Sequence, residues 1–145
     1  MAVPAATPHE KELIEAMTAG VGTGDAANST RAQRRSRTVM RRFHGVLEAN
    51  VDRPLFVKET AEAVGVSVKT LSSCCREHLG MGARKYLYLR RMHLVRRALL
   101  AATPADSSVT AVTTRYRMPR SGRFAANYEA LFGELPSATL RAVHH

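Results

Sequence analysis

An all-α fold is predicted for this chain, built as two helix-turn-helix units joined by one long linking helix. Three observations predict it. Apolar residues recur every three or four positions from Arg34 onward, and helix stops at Gly65, Gly80 and Pro104 separate the periodic stretches. No stretch alternates apolar and polar residues between turn residues, so strands find no support.

The elements follow in order. Residues 1–33 read as a flexible N-terminal segment, because Met1 to Pro8 is rich in Ala and Pro and Ala19 to Thr30 has little to bury. Between these stretches Leu13, Ile14 and Met17 share a face, which predicts a short helix over Glu10 to Met17. Residues 34–145 form the domain. From Arg34 to Asn50, Val39, Phe43, Val46 and Leu47 fall at helical spacing while arginines crowd the early turns. Arg53-Pro54 interrupts this helix, since a residue before proline avoids the helical region.

Val57, Ala61 and Val64 are in phase for a second helix that stops at Gly65, suited to a positive-φ turn, and Ser67 is placed to cap the next. That next helix covers about Val68 to Leu79, with Leu71, Cys74, Cys75 and Leu79 facing inward. Helix, three-residue turn containing Gly, helix is the helix-turn-helix pattern. The linking helix spans roughly Ala83 to Ala102, with Tyr86, Leu89, Met92, Val95 and Leu99 inward, and measures about 30 Å at ~1.5 Å per residue. After a cap between Asp106 and Ser108, Val109, Val112 and Tyr116, then Phe124, Tyr128, Leu131 and Phe132, outline the second unit.

Charge narrows the function. Lys and Arg total 22 against 12 Asp and Glu, for a formal net charge of +10. A polyanion is the natural partner, and double-stranded DNA fits best because cationic side chains release counterions from its phosphates. No run approaches the length of a transmembrane helix and no secretory leader pattern opens the chain, so a cytoplasmic, nucleoid-associated location and no membrane partner are expected. The two cysteines, Cys74 and Cys75, are adjacent and offer no disulfide framework. Together with His78 they share a helix face, yet no second ligand pair completes a four-coordinate metal site, so buried thiols are the better reading. Phosphate loops, nucleophile elbows and paired acids are all lacking, so neither an enzyme nor a cofactor is expected.

From about Val39 to Arg141 the chain resembles the DNA-binding domain of AraC/XylS-type transcription regulators. The resemblance is carried by Thr60-Ala61, Gly65, Ser67 and Leu71, then Gly80, Tyr86, Arg91-Met92 and Leu99-Leu100, then Phe124, Tyr128, Gly133 and Pro136. It implies transcription regulation. Such regulators often carry a preceding sensory domain, for which residues 1–38 are too short, so no effector pocket is implied.

This chain departs from the family at three places. Arg117 and Met118 stand where the second turn normally carries Gly then Phe, and a non-Gly residue at positive φ costs ~1 kcal/mol. Leu135 precedes Pro136 where a capping Ser or Thr is usual, and Glu129 replaces a basic residue, which sets a carboxylate against phosphate. A weakened second unit is expected.

On the first recognition helix, Lys69, Thr70, Ser72, Ser73 and Arg76 are placed outward for DNA. In the second unit the equivalent positions are Arg120, Ser121, Arg123 and Asn127, with Asn able to bond adenine bidentately. The arginines from Arg31 to Arg42, with Arg90, Arg91, Arg96 and Arg97, supply phosphate contacts or ordinary solvated surface, and Arg91 is alternatively a structural ion-pair partner. A specific regulator, with RNA polymerase or a related regulator as protein partner, leads the readings. A chain that acts through protein contact after losing recognition, and a non-specific DNA binder, remain as alternatives.

Overall fold

The computed structural model describes residues 26–119 and 122–142, all of its regular structure helical: α1 (Ala26–Ala49), α2 (Val57–Val64), α3 (Val68–Leu79), α4 (Ala83–Ala101), α5 (Val109–Arg115), α6 (Arg123–Phe132) and α7 (Pro136–Ala142). The helix expected over Glu10 to Met17 lies outside the described residues. Two compact units divide the chain, one formed mainly by residues up to Leu87, the other by Asp52–Pro54 with Tyr88 onward.

In the first unit α1, α2, α3 and the start of α4 enclose Phe43, Leu47, Val64, Leu71, Cys75, Ala83 and Leu87, all but inaccessible to water. Phe43 meets the Tyr86 ring at 5.7 Å. Helix α1 begins at Ala26, eight residues before the expected start, so Ala26 to Thr30 is helical where the composition suggested a flexible run. The extension has a packing reason further along: Ser36 and Val39 are buried on α1, which anchors its early turns.

The turn between α2 and α3 is Gly65, Val66 and Ser67, as expected. Gly65 sits at φ 90 and its N–H reaches the Ala61 carbonyl; a side chain there would be strained. Ser67 Oγ accepts from Thr70 N–H at 3.0 Å, which satisfies one of the orphan donors of α3. Leu71, Cys74 and Cys75 are buried, while Leu79 is partly so. Upstream, Glu59 Oε1 accepts from Phe56 N–H and starts α2.

In the second unit Met92, Leu94, Val95 and Leu99 of α4 join Val112, Tyr116, Met118, Tyr128 and Leu140. Helix α4 is thus buried on more of its circumference than a single stripe, and Leu87, Arg90 and Leu94 go inside while Tyr86 and Leu89 are only half-buried. Ser108 caps α5 through the Ala111 N–H, and Thr103 and Asp106 brace the preceding loop reciprocally. Tyr128 donates to Thr139 Oγ1 at 2.8 Å, and Thr139 donates on to Glu134 Oε1 at 2.8 Å, which ties α6 to α7. Leu131, expected inward, is 41% exposed, because the α6 stripe is carried by Phe124, Tyr128 and Phe132.

Candidate nucleic-acid interface

Helix α3 divides cleanly. Leu71 and Cys75 face the core, and Lys69, Thr70, Ser73 and Arg76 are exposed, with Ser72 half-buried. The Gly65 turn and the Ser67 cap fix where α3 starts, so they also fix which residues occupy its first two turns. The cap engages one candidate reader: the Ser67 hydroxyl donates to Thr70 Oγ1 at 3.0 Å.

The outer face of α3 borders a groove of about 740 Å³ whose opposite wall is α1. Arg31, Arg34, Arg35 and Arg42 line it from α1, and Lys69, Thr70 and Ser73 from α3. At one end α1 is tied to the last turn of α3 by Ser36. Its hydroxyl donates to Glu77 Oε2 at 3.2 Å and lies 2.7 Å from His78 Nε2. With the serine proton given to Glu77, Nε2–H of His78 is the donor to Ser36 Oγ. The carboxylate bonds the serine rather than the imidazole, so this trio is a tether and not a nucleophile relay. At the other end Arg42 Nη1 donates to the Val64 carbonyl at 3.5 Å, beside the Gly65 turn.

The second unit presents less. Arg120 and Ser121 lie outside the described residues. Arg123 and Asn127 are exposed on α6, and Asn127 Nδ2 donates to the Tyr88 hydroxyl of α4 at 3.0 Å. Tyr88 also lies under the Arg91 guanidinium, 5.8 Å from ring centroid to Cζ. This support for Asn127 was not visible in the sequence, since the two residues are 39 apart and neither belongs to a local motif.

Two arginines correct the expectation of phosphate contacts or solvated surface. Arg90 is 2% exposed and its Nη1 donates to the Arg53 carbonyl at 2.7 Å, while Arg91 is 9% exposed. Burial pulls the Arg91 guanidinium below its ordinary pKa, against the opposing pull of Tyr88. Both are structural, because a guanidinium taken from water needs internal acceptors or a ring face. Arg97 pairs with Asp52, and Arg96 lies 4.9 Å from the Phe132 ring centroid. Cys75 is pushed up to about 12 by burial first, then by its neighbour Cys74, so its thiol stays protonated. Both cysteines are free and buried.

Arg117 has φ 54, in the left-handed region, as its place in the second turn suggested. Its N–H reaches the Thr114 carbonyl at 3.1 Å and Met118 N–H the Thr113 carbonyl at 2.9 Å, the hydrogen bonds of a helix stop that normally calls for glycine.

A family profile described as a helix-turn-helix domain matches residues 60–142, more than half of the chain and both turns just described. The chain belongs to the AraC/XylS family of DNA-binding domains. Among relatives of that family, the probable thc operon regulatory protein of Rhodococcus erythropolis is 40% identical over 97 residues, covering 67% of this chain and 29% of that protein. The XylDLEGF operon transcriptional activator of Pseudomonas putida is 33% identical over 95 residues, 66% of this chain and 30% of its own length. The XylDLEGF operon transcriptional activator 2 is 35% identical over 94 residues, 65% of this chain and 60% of its own length. The chain therefore spans about 30% of the first two relatives. No solved structure matches. DNA binding and transcription regulation are the family's business, and it is not an enzyme family. Among the described residues no helix is long and apolar enough to cross a membrane, and no three His, Cys, Asp or Glu side chains gather to hold a metal.

Proposed function

We propose that this AraC/XylS domain binds a specific DNA sequence, with α3 as the principal reading helix. The observation that carries the proposal is the outer face of α3. Lys69, Ser72, Ser73 and Arg76 project from a helix whose start is fixed by Gly65 and Ser67 and whose other face is locked by Leu71 and Cys75. A rigidly placed helix with Lys and Ser on its first two turns and Arg on its last can bond guanine edges and phosphates in a major groove. Thr70 contributes less to reading, because its hydroxyl is held by the cap.

Helix α6 contributes second, through Arg123 and Asn127, with Arg120 and Ser121 beside them in the chain. Its turn carries the Arg117 strain, and Glu129 is exposed on the same helix, where a carboxylate opposes phosphate. RNA polymerase or a related regulator is the protein partner this reading brings with it, supported by the Pseudomonas relatives, which are named as operon activators. The same reading places the protein on the nucleoid.

Selection from random duplex DNA tests the proposal. An enriched motif that changes in Lys69→Ala and Ser73→Ala supports α3 as the reader. Uniform, salt-sensitive binding with no motif would instead mark a non-specific binder, and absence of binding a protein that works through other proteins.

A further inference from the structure

The matched family region starts at residue 60, so α1 lies wholly outside it. Yet α1 carries six arginines, more than any other described helix. Its first half faces the reading surface of α3 across the groove, and Arg31, Arg34 and Arg35 are exposed on that wall. Val39, Val66 and Cys74 contribute the apolar part of the lining, and Glu77, the one acid there, is occupied by the Ser36 hydroxyl. The groove is open to solvent and, at about 740 Å³, far larger than the seat of a single small anion.

We propose that one sugar-phosphate strand of the bound DNA runs through this groove, clasped between the arginine face of α1 and the reading face of α3. The inference rests on the reading of α3 given above and adds a second wall to it. A helix in the major groove lies beside the strand that bounds that groove, and packed helices stand only ~8–10 Å apart. The polyanion nearest to Lys69 and Ser73 is therefore the strand that Arg31 and Arg35 would meet from the far side. An acidic peptide would match the charge but not this continuity with the reading residues. The Ser36 tether holds the two walls at a set separation, so α1 enters the complex already positioned.

The test compares two double variants of the full chain on one selected duplex. R31A/R35A removes two cations that line the groove, and R37A/R41A removes two from the same helix that do not. Alanine is the best helix former, so both variants keep α1. For R31A/R35A the hydroxyl-radical footprint loses protected sugars on one strand at the edge of the site. The log-log salt slope drops by about 2 at ~0.9 per phosphate, and the selected motif stays the same. For R37A/R41A the footprint is complete and the slope drops by less than half as much. Equal behaviour of the two pairs, or unchanged footprints in both, would overturn the clasp while leaving α3 as reader. If the wild-type chain selects no motif at all, the reading of α3 fails and the clasp fails with it.

Discussion

Arg117→Gly is expected to stabilise the protein. At φ 54 the Cβ of Arg117 is held against its own backbone, which costs an L-residue ~1–2 kcal/mol, and glycine removes that clash. Glycine also gains freedom in the unfolded chain, which returns ~0.5–1 kcal/mol of the benefit. The net is about 0.7 kcal/mol, or a melting point raised by about 3 °C for a domain of this size. Arg117→Asn should fall between, since asparagine tolerates the left-handed region, and Arg117→Ala should gain nothing because it keeps the Cβ. Thermal melts of the three variants at one pH check the order Gly, Asn, Ala. Three variants all destabilised to a similar extent would refute the reasoning and show that contacts of the arginine side chain outweigh the backbone strain.

Three further outcomes follow from the same structure. Thr139→Val should destabilise by ~1–3 kcal/mol in chemical denaturation, because Tyr128 loses its buried acceptor while Glu134 loses its donor; Thr139→Ser should recover most of the loss. The Cys75 thiol should resist alkylation at pH 8 until the chain unfolds, since it is inaccessible to water and its pKa is pushed up to about 12; rapid labelling of Cys75 in native protein would contradict its burial. Partial desolvation beside Phe132, and then Arg96, lowers the pKa of the otherwise exposed His93 below its ordinary 6.5. The unfolded chain therefore takes up the proton first, and stability present above pH 6.5 is lost as pH falls through the lower folded value. His93→Gln should flatten that part of the stability-pH curve, and an unchanged slope would remove His93 as its source.

Legibility in the sequence followed the range of the interaction. Gly65 and Ser67 announce their turn and cap because both act within four residues, and Arg117 is conspicuous because its position demands glycine. The core stripes of α1, α2 and α3 follow from local periodicity. Helix α4 defeated that logic, since it is buried on more than one side and draws Arg90 and Arg91 inward, where composition alone makes an arginine look solvated. Distance in sequence concealed the rest. Ser36 meets Glu77 and His78 more than 40 residues away, and Asn127 meets Tyr88 across 39. The early start of α1 was hidden for a related reason: its first turns are weak in apolar residues, and the anchor at Ser36 is a hydroxyl rather than a hydrophobe.

The short segment Asp52–Pro54 belongs with the unit formed from Tyr88 onward, held there by the Arg90 bond to the Arg53 carbonyl and by the Arg97 pairing with Asp52. Neither unit is then an uninterrupted stretch of gene. A fragment starting at Leu55 would strip a buried guanidinium of its carbonyl, and one starting at Tyr88 would also lack the strap. A single breakpoint that leaves Asp52–Pro54 with the second unit also carries α2 and α3 along with it. A fragment that keeps the strap therefore keeps the Gly65 turn and the Ser67 cap together with Arg117 and Glu129.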